Sequence, residues 1–135
     1  MALQYSTTVR NAELDALETA IGTSPLLKIR SGSAPANCAT ADSGTVLATM
    51  TLPSDWLAAA SSGSKAKSGT WQDSSADATG TAGHFRIYDS TGTTCHLQGT
   101  VTATGGGGDL TLDNTSIASG QSITINTFSI SAANA

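Results

Sequence analysis

The residues able to do chemistry in this chain are few: Cys38 and Cys95, His84 and His96, and a handful of carboxylates that includes Asp73, Asp77, Asp89, Asp109 and Asp113. A nucleophilic site would combine Cys95 with His84 or His96 as base and Asp89 or Asp113 as orienting acid, because nucleophilic catalysis needs a base within hydrogen-bond reach. The spacing works against this. Cys95 and His96 are neighbours in a segment that reads as a strand, so their side chains point to opposite faces, and no helix follows Cys95 to lower its pKa. The same alternation opposes a zinc site built from Cys38, His84, Cys95 and His96, which also lacks the closely spaced ligand pairs of structural zinc. Asp73 with Asp77 in W-Q-D-S-S-A-D-A-T-G, or Asp109 with Asp113 in D-L-T-L-D-N, could join backbone carbonyls around calcium. Neither pair forms an EF-hand loop, and both read as solvated turn residues or caps of loop backbone. Gly105 to Gly108 fails as a phosphate loop, since Asp109 and a strand follow it where a Lys-Ser/Thr pair and a helix are needed. It reads as a flexible turn at a surface tip. No catalytic residue, metal or cofactor is expected.

Composition points the same way. Ala, Gly, Ser and Thr supply 74 of the 135 residues, only 12% are charged and 4% aromatic. Thr and Ser suit half-solvated sheet surfaces, Gly suits the turns between strands, and none of the four usually carries hard chemistry. The length fits one domain with one modest core. The net charge is −4, and the six basic residues, Arg10, Lys28, Arg30, Lys65, Lys67 and Arg86, form no stripe that could track a phosphate backbone, so no nucleic-acid partner is expected. No apolar run approaches a membrane span and the first residues have no leader pattern, so the chain is expected to be soluble, without an export signal or a membrane partner. The two cysteines are too few for a disulfide framework; they read as two small thiols or as one bridge, and sequence does not choose between these.

The elements that would position these residues are one helix and a series of short strands. Val9, Leu14, Leu17 and Ile21 recur near helical spacing, with Thr7, Thr8 or Asn11 as the cap, Gly22 as the stop, and Glu13, Asp15 and Glu18 on the opposite face. About three turns are expected, marginal alone, so the apolar face must pack on the chain's own sheet or on a neighbouring subunit. Strands are expected at Leu26 to Arg30 and Thr45 to Leu52, the latter with Val46, Ala48, Met50 and Leu52 on one face. Ser54 onward could make one helical turn burying Trp56 and Leu57, followed by a flexible loop from Ala58 to Lys67. A short strand is expected near Gly69 to Gln72. Two hairpins would follow, His84 to Tyr88 with Cys95 to Val101, and Asp109 onward with Ser122 to Ile130, whose last strand is apolar on both sides at Phe128 and Ile130. About seven short strands make an antiparallel β-sandwich or small barrel, mainly β, with an N-terminal α-helix. The organisation expected is an arm and amphipathic helix over residues 1–25 and a β-sandwich over 26–135.

Four stretches together look familiar: R-N-A-E-L-D-A-L-E-T-A-I-G-T-S-P from Arg10, S-G-T-W-Q-D from Ser68, G-T-A-G-H-F-R-I-Y from Gly80, and L-D-N-T-S-I-A-S-G-Q-S-I-T-I from Leu112. They resemble small virion structural proteins of tailed bacteriophages and prophages, over nearly the whole chain. The resemblance carries no catalytic residue. It implies a non-enzymatic role in the virion, as a capsid decoration or cement protein bound non-covalently to the major capsid protein, or as a tail or neck component. A cement protein needs a compact β-body and an arm or helix that reaches a neighbour. The two ends, Met1 to Thr8 and S-A-A-N-A after Ile130, are available for docking. A homo-oligomer, most naturally a trimer, would bury the helix face or the last strand, giving Val9, Leu14, Leu17, Ile21, Phe128 and Ile130 as candidate interaction residues. The alternative from another class is a carbohydrate-binding β-sandwich, which would need Trp56, Trp71 and Tyr88 exposed together to stack on sugar rings.

Overall fold

The computed structural model describes residues 3–132; Met1, Ala2 and residues 133–135, the extremes of the two ends expected to dock, lie outside the described residues. Helix α1 (Thr7–Ile21) precedes ten strands: β1 (Leu26–Ser31), β2 (Val46–Thr51), β3 (Ser64–Ala66), β4 (Trp71–Asp73), β5 (Gly80–Tyr88), β6 (Cys95–Ala103), β7 (Leu110–Leu112), β8 (Ser116–Ile117), β9 (Ile123–Ile125) and β10 (Ser129–Ser131). The chain is mainly β, a small sandwich or half-barrel with one N-terminal helix, as its composition and strand spacing predict.

The helix starts one residue earlier than the expected caps. Ser6, in extended backbone, accepts the Val9 N–H on Oγ at 3.2 Å, the reach a cap needs to satisfy an orphan donor three residues on. Gly22, at φ 93°, ends it with its N–H on Glu18 O at 2.9 Å. Its 15 residues make about four turns. Leu14 and Ile21 are buried, Leu17 packs partly buried against the core, and Val9 is exposed.

The main sheet runs β2-β1-β5-β6-β7, with β8 added beside the start of β5. Registers of β1, β5 and β6 align Leu27, Ile87 and Leu97 across one face, with Ile29 opposite Phe85 beside them. Lys28, Arg86 and Gln98 align across the other face, beside Arg30 opposite His84 and Leu26 opposite Tyr88. The apolar face closes on two small ribbons, β3 with β10 and β4 with β9. Trp71 meets Trp56 and Phe128 at centroid separations of 6.0 and 5.3 Å, and Phe128 meets Phe85 edge-on at 5.8 Å. Those rings join Leu27, Ile29, Leu47, Met50, Ile123 and Ile125 in one core that also takes in Ile21. Among the described residues no helix is long and apolar enough to cross a membrane.

Four local expectations are corrected. Trp56 and Leu57 are buried, but from extended chain and not from a helical turn: Leu57 bridges Lys67 and the Trp56 indole donates to Gly22 O at 3.1 Å. The segment from Ala58 to Lys67 is held in place, since Asn11 Oδ1 accepts the Gly63 N–H at 2.9 Å and Lys65, in β3, reaches Asp15 and Glu18 of the helix at 2.7 and 2.8 Å. The supposed second hairpin does not form, because its last strand divides into β9 and β10, which pair with β4 and β3. Finally, β7 pairs with β6 in parallel, across residues 104–109 alone, where such a crossover ordinarily takes a dozen or more residues. The glycine run makes this reversal possible by lying against its own strand. Gly108 N–H donates to Thr102 Oγ1 at 3.0 Å, and a Cβ at Gly106 or Gly108 would stand 2.8 Å from the Thr102 side chain. Gly105, Gly106 and Gly107 are exposed, as a surface turn predicts, while Gly108 is half-buried against Thr102, so the run is a fitted connection as well as a surface turn.

Candidate functional site

The polar face of the main sheet is roofed by the loop of residues 32–45, and the two β-bulges of β5 and β6 decide what lies beneath it. The first leaves Gly83 unpaired between Ala82 and His84. A Cβ there would sit 2.2 Å from Gly32 O, so only glycine lets the loop start this close, and His84 Nδ1 donates to that same carbonyl at 2.8 Å. The second leaves His96 unpaired and stands Cys95 opposite Tyr88. Unbroken alternation would have put Cys95 on the apolar face with Leu97.

Arg86, buried at 2% exposure, is the centre of the roof's attachment. Its guanidinium donates to Asp42 Oδ1 at 2.7 Å, to Gln98 Oε1 at 2.9 and 3.1 Å, and to the carbonyls of Asn37 and Thr40 at 2.9 and 3.0 Å. Asp42 also accepts from Arg30 at 2.9 Å and from the Tyr88 hydroxyl at 2.6 Å, while Gln98 donates to Pro35 O at 2.7 Å. Burial works against the Asp42 carboxylate, but hydrogen bonds from Tyr88 and Arg86 and the charges of Arg30 and Arg86 together hold its pKa below the usual carboxylate range. Burial raises the Tyr88 pKa, and its hydrogen bond to Asp42 adds to the rise. A carboxylate held ionised between two guanidiniums is a weak base, and the planar fork of Arg86 is already satisfied on several sides. The arrangement ties a loop to a sheet.

A cavity of about 250 Å³ opens at this attachment, lined by Cys38, Thr40, Asp42, Arg86, Tyr88 and Cys95 among others. Burial and the adjacent Cys38 thiol push the Cys95 thiol up to about 12, against the pull of the Arg86 charge. Its hydrogen goes to Leu97 O at 3.5 Å.

The supposed nucleophile Cys95 and the candidate base His84 are not brought together. His84 pairs across the sheet with Thr100, four residues along β5 from Tyr88 and so roughly 13 Å from the level of Cys95. Asp89 ties the turn between β5 and β6, accepting from the N–H groups of Thr93 and Thr94 and from the Thr91 hydroxyl, which keeps its pKa low. The zinc set divides as well, since Cys38 and Cys95 line one cavity while His84 lies farther along β5 and bonds Gly32 O. Among the described residues no three His, Cys, Asp or Glu side chains converge on a metal position. Asp73 and Asp77 both act on Thr49, taking its N–H at 2.9 Å and its hydroxyl at 2.7 Å. Asp109 takes the N–H and hydroxyl of Thr100 at 2.9 and 3.0 Å.

Comparison of the chain with protein-family models, with curated proteins and with solved structures finds no match.

Of the candidate interaction residues, Leu14, Ile21 and Phe128 lie inside the chain's own core, Leu17 and Ile130 are half-buried against it, and Val9 is open to solvent at 44% exposure. Phe128 and Ile130 line, with Leu97 and Gln98 of β6, a surface groove of about 320 Å³. Trp56, Trp71 and Tyr88 are all buried, so no sugar-stacking platform is formed from them. The Arg86 network was missed from sequence. Its signal was present in H-F-R-I-Y and L-L-K-I-R, where the residues alternating with Phe85, Ile87, Leu27 and Ile29 are basic or polar and align across strands, opposite a loop whose acidic residue is Asp42.

Proposed function

We propose that this chain is a non-enzymatic structural protein of a tailed-phage virion, a capsid decoration protein that binds the major capsid protein by surface contact and assembles as a homo-oligomer, most naturally a trimer. The observation that carries the non-enzymatic part is the use made of its charged side chains. Asp42 and Arg86 fix the roof, Lys65 fixes the helix to β3, Asp109 fixes the parallel return, and Asp73 and Asp77 fix Thr49. Each of these groups has an internal task, which is how a shell component resists deformation without reactive surface chemistry. The placement in a virion rests on the sequence resemblance.

The docking end follows from exposure. Leu3 and Val9 are large apolar side chains left exposed at 80% and 44%, both at the N-terminal end, while the rest of the helix face serves the chain's own core. Deleting the helix would therefore remove core residues and test stability, not docking. Replacing Leu3 and Val9 by Asp leaves the core intact. Particles assembled with the Leu3→Asp, Val9→Asp variant should retain less of it through purification than of the wild-type chain, at unchanged thermal stability of the free protein. Equal retention would contradict docking through this end, and absence of the wild-type chain from purified particles would contradict the virion assignment itself.

A further inference from the structure

We propose that Cys38 and Cys95 are a redox-controlled pair whose disulfide fastens the roof loop of residues 32–45 covalently to strand β6. Separate features of the fold bring the two thiols together. The turn carrying Cys38 is pinned where it lies, because Arg86 Nη2 donates to the carbonyls on either side of it, Asn37 and Thr40. The bulge at His96 places Cys95 opposite Tyr88 and thus on the roofed face. Both side chains line the same cavity, and both are half-buried and unbridged. Neither is hidden in the apolar core, which is where a small thiol with only a packing role is usually found.

The oxidant is a low-molecular-weight disulfide. The Cys38 thiolate attacks one of its sulfurs, forming a mixed disulfide and releasing one small thiol. Cys95 then loses its proton and attacks Cys38 Sγ, forming the protein disulfide and releasing the second small thiol. Two protein S–H bonds and one small-molecule S–S bond are exchanged for one protein S–S bond and two small-molecule S–H bonds; the protein gives up two electrons and the small disulfide takes them. The same balance holds if Cys95 makes the first attack and Cys38 the second. The second step is intramolecular, between two side chains that line the same cavity.

The test uses the whole chain, purified reduced and then incubated with oxidised glutathione. Trypsin, cutting after Arg30, Lys65 and Arg86, puts Cys38 and Cys95 on different peptides. The expected result is a monomer lighter by two hydrogens, a non-reduced digest in which those peptides are joined, and a melting temperature raised by roughly 10 °C, from the entropy lost by an unfolded chain closed between residues 38 and 95. The Cys38→Ser variant should melt at the same temperature with and without oxidant. Separate peptides bearing glutathione or free thiols would overturn the proposal, as would linkage found only in covalent dimers. A joined pair without a rise in melting temperature would overturn its role as a fastening. The wild-type digest decides the pairing even if the serine variant fails to fold.

Discussion

Replacing Arg86 with Met removes the centre of the roof's attachment while keeping a long side chain over the sheet. The change deletes the ion pair to Asp42 at 2.7 Å, both contacts to Gln98 and the donors to Asn37 O and Thr40 O. Breaking a fully buried pair costs about 3–5 kcal/mol, and each carbonyl left without a donor about 1 kcal/mol. Asp42 is 41% exposed and keeps Arg30 and Tyr88, so water and those partners recover part of its loss. The net expectation is about 3 kcal/mol, or a fall in melting temperature of roughly 10 °C in a chain of this size. Urea unfolding followed by tryptophan fluorescence should show a lower midpoint at an unchanged slope. Hydrogen exchange should accelerate at Ala39 and Thr40, whose N–H groups are held by Asn37 within the roof. A loss below about 1 kcal/mol with those amides still protected would refute the reading of Arg86 as the anchor.

Other perturbations reach other parts of the account. Asp42 has a folded pKa below its unfolded value, so its stabilisation is fully present above about pH 4 and is lost as pH falls from there through the folded pKa. The stability gap between wild type and Asp42→Asn should therefore be widest near neutrality and close on acidification; a gap that widens in acid would contradict this. Gly83→Ala should cost about 2–3 kcal/mol, since the new methyl would meet the Gly32 carbonyl and neither backbone can give way easily. A stability within error of wild type would mean the bulge is dispensable. Trp56 and Trp71 are fully buried, so acrylamide should quench native tryptophan emission weakly and unfolded emission strongly, and strong native quenching would reopen the sugar-platform reading.

The β-rich architecture was legible because it is written in local pattern. Leu27 and Ile29 alternate with Lys28 and Arg30, Phe85 and Ile87 with Arg86, and Gly22 marks the helix end where the periodicity stops. What was not legible depends on long-range pairing. Ser122 to Ile130 reads as one strand because its alternation is continuous, yet β4 and β3 compete for its two halves and break it into β9 and β10. A parallel return through Gly105 to Gly108 has no local signature, since a glycine run serves an open turn and a tight fold-back equally well. For the site, alternation alone would put Cys95 on the apolar face with Leu97, but the bulge at His96 turned it toward the roof, and bulges follow from what approaches the sheet. The nearness of Cys38 to Cys95 and the gathering of Arg30, Arg86, Tyr88 and Asp42 arise from where one loop lands. Helix residues Asp15 and Glu18, which look like a solvated face, are partners of a lysine buried in β3.

The proposed place in a virion shell is tested most directly by the copy number of this chain in purified particles, measured by quantitative mass spectrometry against the major capsid protein. The account predicts a ratio near one to one, as a decoration protein on the capsid lattice requires. A ratio of a few per cent would move the chain to the tail or neck, and its absence from particles would contradict the claim.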